Sequence, residues 1–423
     1  MVMTHKLSSA CIIAIVSALV ATYAIPAVAS VGNAEWTVLV YLDGDNNLDP
    51  DSLVDVAEMK TVGSTGKVNV IVLWDRYSEP AYLYKVLLNG LEPLAGWTVN
   101  GAPVNGQEVN MGDWHVLEAF VDYGKANYPA NHFMLDLWDH GNAFGYTCWD
   151  DHDGTVLPAP AAISLSEVGQ ALEGSGAMDI LTYDGCTIGM AEIAYELTLI
   201  PDEMNVQIGY LVASEEYIPN NGYAYNNVLK QMNEMEDMSA AAVAKMLADE
   251  YAATYSPKGE AKGTSTVNLS VIDISKIGPI GSAMKSLTDK LRAGLVEDFK
   301  YYKNLISEAR GEANLGWSLN GWDKRVDLGT FLMTLSTISK DKDVKVLADQ
   351  AYGIIKDAVY VANTPAMDSQ SATGLGIWFP TSYRSLGNAN NGGFWTLDMY
   401  QDAFGFADDA GWMGFLYAYW GRA

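Results

Sequence analysis

Two side chains of complementary chemistry end two apolar runs. Phe133-Met134-Leu135-Asp136-Leu137-Trp138 leads into Asp139-His140-Gly141, and Met178-Asp179-Ile180-Leu181-Thr182-Tyr183 leads into Asp184-Gly185-Cys186. A thiolate attacks acyl carbons, and an imidazole can deliver the proton that a departing amine needs. A glycine beside each residue lets backbone approach closely, so the N–H groups of Gly141 and Cys186 are candidate oxyanion donors. Single cysteines are more often small buried hydrophobes. Catalysis and core packing therefore both stand as readings of the spacing.

The elements that must position these residues follow from the pattern. Each run is short, mostly apolar and closed by a glycine, which predicts a buried strand meeting a tight turn. A loop and one helical segment, 164–172, lie between them. A strand, crossover helix and second strand make parallel neighbours, so both C-terminal ends fall on one sheet edge. Open α/β sheets bind ligands at that edge.

The same alternation extends along the chain. Strands are predicted at 35–42, 68–74, 206–213, 264–274 and 375–379, and a hairpin from 82–88 and 96–99 with Asn89-Gly90 in its loop. Helices are predicted at 49–60, with Pro50 and acids in the first turn, and at 114–126, 188–199, 225–232 and 239–255. The chain beyond is mostly helical at 278–309, 327–336 and 341–361. An aromatic tail, 394–420, is expected to dock as a cap.

At these residues the sequence resembles the clostripain-like cysteine peptidases, relatives of the caspases, gingipains and legumains. The matching pieces are Trp36-Thr37-Val38-Leu39-Val40-Tyr41-Leu42-Asp43-Gly44-Asp45-Asn46-Asn47-Leu48, Leu137-Trp138-Asp139-His140-Gly141 and Tyr183-Asp184-Gly185-Cys186. Ala213-Ser214-Glu215-Glu216 and Gly374-Leu375-Gly376-Ile377-Trp378-Phe379-Pro380 follow in family order. The resemblance implies an α/β, caspase-like fold with a mostly parallel sheet flanked by helices. The expected division is a signal peptide over 1–29, a caspase-like domain over 34–275 and a helical, mixed C-terminal part over 276–423 packed on it.

It also implies a cysteine endopeptidase with Cys186 as nucleophile and His140 as acid/base. Asp184 would line the S1 pocket and pair with an Arg or Lys side chain of a protein or peptide substrate. Glu215 and Glu216 either add to that pocket or form a solvated strand end. Calcium is expected from the family, with no organic cofactor. Two acidic loops offer oxygen ligands, Asp43, Asp45, Asn47 and Asp49 in one, Asp150, Asp151 and Asp153 in the other; the second is the assigned metal site. Cys148 and His152 have the spacing of a zinc pair, a weaker signal.

The chain departs from the family in one respect. Residues 141–185 contain no Lys or Arg, so an enzyme specific for basic residues cannot cut itself there. Either it acts uncut, or it is processed elsewhere, or its P1 preference is not basic. A catalytically silent, calcium-dependent binding protein on the same fold is the alternative from another class.

Composition narrows the partners. Twenty-five basic and 52 acidic residues give a net charge of −27 over 423 residues, which argues against nucleic acid and anionic membranes. From Ala126 to Leu229 there is no Lys or Arg, while carboxylates recur throughout. Such a one-signed field attracts cationic substrates. His5 and Lys6, an apolar stretch near 11–25 and Ala27-Val28-Ala29 predict a cleaved secretory signal and a secreted product with no membrane span. Cys11 leaves with that signal. Cys148 and Cys186 then remain, either bridged, which would remove the nucleophile, or as free thiols.

Overall fold

The computed structural model describes residues 33–143, 145–152, 161–199, 206–261, 267–315, 324–364, 372–383, 400–401 and 403–422. The expected signal peptide lies outside them. In chain order the strands are β1 (Ala34–Gly44), β2 (Val68–Arg76), β3 (Glu79–Leu87), β4 (Gly90–Pro93), β5 (Thr98–Val99) and β6 (Ala102–Pro103). Then come β7 (Ala130–Trp138), β8 (Thr147–Asp150), β9 (Ala161–Ile163), β10 (Gly176–Asp184) and β11 (Val206–Ala213). The last are β12 (Asn268–Asp273), β13 (Arg325–Asp327), β14 (Val359–Asn363) and β15 (Gly376–Trp378).

Nine of them form one sheet in the order β14-β12-β11-β10-β7-β1-β2-β3-β4. The five central strands, β11 to β2 in that order, are parallel; both edges are antiparallel. The architecture is the mixed α/β arrangement expected, a large mostly parallel sheet with helices on its faces.

The central strands are covered on both sides. Leu39 and Tyr41 of β1 join one apolar layer with Leu135, Leu137, Leu181 and Tyr183. Val38 and Val40 join the other with Met134 and Ile180. Burial on both faces is why these strands read as continuous apolar runs. The helix Trp114–Asn127 packs Val116, Leu117 and Phe120 on the first layer. It starts where Asp113 accepts a hydrogen bond from the His115 N–H, a standard N-cap. The helices Asp49–Val62, Tyr225–Glu234 and Ala240–Thr254 cover the second. Ser164 and Glu167 form a reciprocal capping box on the helix Leu165–Ala171, which carries the crossover from β7 to β10.

Three local expectations are corrected. The hairpin at Asn89 pairs β3 with β4, not with residues 96–99, of which Thr98 and Val99 instead pair with Pro103 and Ala102. Asn89 adopts φ 61°, and a short turn there needs a left-handed residue. The helix expected over 341–361 stops at Ala358, and residues 359–363 add β14 to the sheet edge. The helix expected from 188 begins at Ala191. Residues 34–423 make one compact unit, in which the part beyond 275 supplies β14. In the tail, Trp412, Phe415 and Tyr419 are buried around Phe379.

Leu135 lies fully buried in β7 between β1 and β10. Leu135→Ala is expected to lower the unfolding free energy by about 2–5 kcal/mol, read from the midpoint of urea denaturation.

Candidate active site

The strand order reverses between β1 and β7, because β2 lies to one side of β1 and β7, β10 and β11 to the other. That reversal opens a crevice at the C-terminal strand ends. Three segments meet around it: residues 43–48 at and beyond the end of β1, Asp139-His140-Gly141 after β7, and Gly185-Cys186-Thr187 after β10.

The last two touch backbone to backbone. Asp184 stands opposite Trp138 in the register, so both chains leave the sheet at one level. A methyl carbon on Gly141 would lie 2.6 Å from the Cys186 carbonyl oxygen and 3.0 Å from its nitrogen; one on Gly185 would lie 2.9 Å from the Asp139 oxygen. No side chain fits at either position, so glycine is a steric requirement here. Thr187, directly after the cysteine, is held at φ 66°. This is a costly conformation for a β-branched residue, of the kind that clusters at functional sites.

The Cys186 thiol donates to the Ile218 carbonyl at 3.7 Å. His140 Nε2 lies 2.9 Å from Asn47 Oδ1, and the His140 carbonyl accepts from Thr147 Oγ1 at 2.9 Å. Both cysteines are free thiols, and Cys148 is fully buried. Burial pushes the Cys186 thiol up; the Ile218 contact and the Arg325 charge oppose this, while Asp184 and Asp139 reinforce it. Burial pushes the His140 imidazole down, against the pull of Asp151. Both shifts favour the uncharged forms, a thiol at Cys186 and a neutral imidazole at His140.

Beneath the turns lies a layer of buried carboxyls. Asp184 Oδ2 accepts from the Tyr223 N–H at 2.8 Å and the Tyr225 hydroxyl at 3.3 Å. Its Oδ1 is buried with no hydrogen-bond partner. Tyr225 also donates to Asp136 at 2.7 Å, and Trp138 Nε1 donates to Asp55 at 2.7 Å. Burial pushes all three acids up, Asp136 to about 7, Asp55 to about 10, and Asp184 upward with Asp136 adding to it.

Glu215 and Glu216 are buried, not a solvated strand end. Glu215 Oε1 accepts from Asn268 Nδ2 at 3.2 Å and the Gly374 N–H at 2.9 Å. It ties β11 to the chain before β15. Glu216 places its carbonyl on the Thr187 N–H at 2.9 Å, beside Cys186.

The acids assigned to a metal are distributed differently. Asp150 is buried, Asp151 is exposed, and Asp153 lies outside the described residues. Asp150 joins Asp45 from the other acidic loop, with Asp75 and Glu108; ligand atoms of these four lie within 4.8 Å of one another. His152 sits at the rim, Nδ1 2.6 Å from Asp45, its ring stacked on Tyr77. Asp75 Oδ2 is buried without a hydrogen-bond partner. Burial, with the charges of Asp150 and of Glu108 respectively, pushes Asp45 to about 7 and Asp75 to about 9. Among the described residues no candidate metal cluster includes Cys148, so the zinc spacing comes to nothing there.

Sequence reading missed Asp55, Asp75, Glu108 and Arg325, and offered Asn47 only as a cation ligand, not as the partner of His140. Each comes from an element remote from the His and Cys turns. Asp75 carried one signal: an acid ending an apolar strand on the same sheet edge.

Comparison with known proteins bears on the family and the fold. The model of the clostripain family matches residues 40–371. Clostripain of Hathewaya histolytica is 30% identical over 229 residues, 47% of this chain and 42% of that protein. The chain thus aligns with under half of that relative's length. Two solved structures share the fold. An inactive zymogen C11 protease from Parabacteroides distasonis gives a TM-score of 0.63 at 18% identity, over 90% of this chain and 99% of that one. A secreted C11 cysteine protease from Bacteroides thetaiotaomicron, bound to an irreversible peptide inhibitor, gives 0.62 at 18% identity over the same shares.

A neutral resting pair has a measurable signature. A thiol raised above the free-cysteine range of about 8.5 forms its thiolate only at higher pH. Alkylation of Cys186 by iodoacetamide, followed by mass spectrometry, is expected to keep accelerating through about pH 9. A rate already flat below pH 7 would mean a preformed thiolate–imidazolium pair instead.

Proposed function

The chain belongs to the clostripain family, and from that premise we propose that it is a secreted cysteine endopeptidase acting after Arg or Lys. The observation that carries the catalytic reading is the backbone contact between the Gly141 and Cys186 turns. It supports a thiol and an imidazole from separate strands acting at one crevice.

The reaction follows from these groups. With Asn47 Oδ1 as acceptor, His140 carries hydrogen on Nε2, and Nδ1 is the basic nitrogen. As substrate binds, the Cys186 proton passes to the imidazole and sulfur attacks the scissile carbonyl carbon. A carbon–sulfur bond forms, and the carbonyl oxygen takes the negative charge beside the Gly141 and Cys186 N–H groups. The imidazolium gives its proton to the amine as the carbon–nitrogen bond breaks. Water, deprotonated by His140, then releases the acyl group and regenerates the thiol.

Asp184 carries the specificity. A buried carboxylate oxygen with no donor costs free energy until a cation arrives. An arginine or lysine P1 side chain supplies that donor. The absence of basic residues from 141 to 185 fits activity without internal cleavage in that loop, or processing by another protease.

The acid cluster fits a hard divalent cation, calcium first. Asp45, Asp75, Glu108 and Asp150 would hold it; three of these acids are buried, Glu108 is exposed, and oxygens so close together favour such a charge. When bound, the ion supplies neutralising charge. The residues after Asp45 connect this cluster to the site: Asn46 Nδ2 donates to Asp139 at 2.8 Å and to the Trp149 carbonyl at 2.9 Å, and Asn47 meets His140.

Peptide substrates varied at P1 test the main reading. Cys186→Ala is expected to abolish turnover. Asp184→Asn is expected to lower kcat/KM for P1 Arg and Lys by about 10²–10³-fold, the worth of a buried charge pair of roughly 3–4 kcal/mol. A P1 profile without basic preference would sink the pocket assignment while leaving the thiol chemistry. Calcium added to EDTA-treated protein is expected to raise Tm, and Asp75→Asn to remove the rise. An unchanged Tm and no heat in calorimetric titration would dismiss the ion.

A further inference from the structure

The site must form a thiolate inside a negative field, yet no Lys or Arg occurs between Lys125 and Lys230. The charged groups that act on the thiol are the acids Asp184 and Asp139 and the guanidinium of Arg325, and the thiol in turn acts on Tyr251. Positive charge reaches this surface from a distant part of the chain. Arg325 of β13 is 4% exposed, and β13 is fixed antiparallel to β15 with Arg325 opposite Trp378.

Arg325 grips the segment that flanks the nucleophile. Its Nη1 donates to the Glu215 carbonyl. Its guanidinium lies 5.4 Å from the centre of the Tyr217 ring. Between those two grips, the Glu216 carbonyl accepts from Thr187, and one residue on, the Ile218 carbonyl receives the Cys186 thiol. The Gly189 N–H meets the Ser214 carbonyl, and the Gly189 carbonyl meets the Gly376 N–H, both at 2.8 Å. Arg325, residues 214–218 and the 186–189 turn are thus stacked in three hydrogen-bonded layers.

We propose that Arg325 is a positioning residue for Cys186, holding the Glu215–Ile218 strap against the thiol and placing a fixed positive charge behind it. The proposal rests on the reading of Cys186 as nucleophile. Planarity matters to it, because a guanidinium can donate to a carbonyl and lie over an aromatic ring at once. A lysine retains the charge but not that geometry. The charge acts in the direction the thiol needs, opposing burial and the two aspartates.

The test uses the full chain and two readouts. The first is the pH dependence of Cys186 alkylation by iodoacetamide, which needs no peptidase activity. The second is kcat and KM on P1-Arg peptides. Arg325→Gln is expected to raise the alkylation midpoint by about one pH unit and to cut kcat about tenfold or more with KM little changed. Arg325→Lys is expected to keep the midpoint within about 0.3 unit while kcat still falls several-fold. A folded Gln variant with a wild-type midpoint overturns the electrostatic role. Wild-type kcat in the Lys variant overturns the strap. If the Gln variant does not fold, the Lys variant decides: lowered kcat at unchanged KM supports the proposal, and unchanged kcat rejects it. Failure of every peptide to be cleaved by the wild type would instead fault the peptidase reading, and the alkylation profile would still judge Arg325.

Discussion

The contact between two backbone turns governs this molecule. Gly141 and Cys186 approach so closely that a single added carbon on Gly141 would strike main chain. Nothing flexible stands in the way to yield, so the approach is fixed by the glycines and by the sheet beneath. The sheet delivers it through register: β7 and β10 are parallel neighbours whose last pair is Trp138 with Asp184. Apolar layers on both faces hold that register, because a one-residue slip would turn every buried side chain to the wrong face. The positive φ at Thr187 is the strain that such a rigid frame can sustain.

A second constraint is electrostatic. Asp43, Asp45, Asp55, Asp75, Asp136, Asp139, Asp184, Glu215 and Glu216 are all buried near one sheet edge. Isolated buried carboxylates cost several kcal/mol, so each must be protonated, hydrogen-bonded or paired. The structure shows several solutions. Asp136 and Asp55 take donors from Tyr225 and Trp138, Asp45 takes His152, and Glu215 takes backbone and amide N–H groups. Asp43, Asp75, Asp184 and Glu215 each retain one orphaned oxygen. Among the described residues, Arg325 is the cation whose charge acts on the thiol.

Much of the frame could be read directly. The central strands stand out because burial on both faces leaves them apolar without interruption, and His140 and Cys186 stand out because each breaks such a run beside a glycine. The edges were less legible. Residues 359–363 continue an amphipathic helix with no glycine or proline between them, so helix and strand differ there only through pairing with β12. The hairpin partner of β3 was misplaced because a turn at Asn89-Gly90 can open into either of two following segments. The acidic loops were both visible, yet each was taken by itself. Asp45 and Asp150 meet because β1 and β7 are neighbours, a fact of strand order that no local spacing contains.

The amino-acid order alone determined which residue types end which strands, the glycines those ends require, the one-signed charge of the central region and the family. These are local properties, set by backbone sterics and by side-chain period. Tertiary structure decided which distant groups share a compartment: Arg325 behind the thiol, Asn47 on the imidazole, Tyr225 across two acids, Asp75 and Glu108 with Asp45. It decided them because strand order and burial, not separation along the chain, set the distance between charges and the dielectric in which they interact.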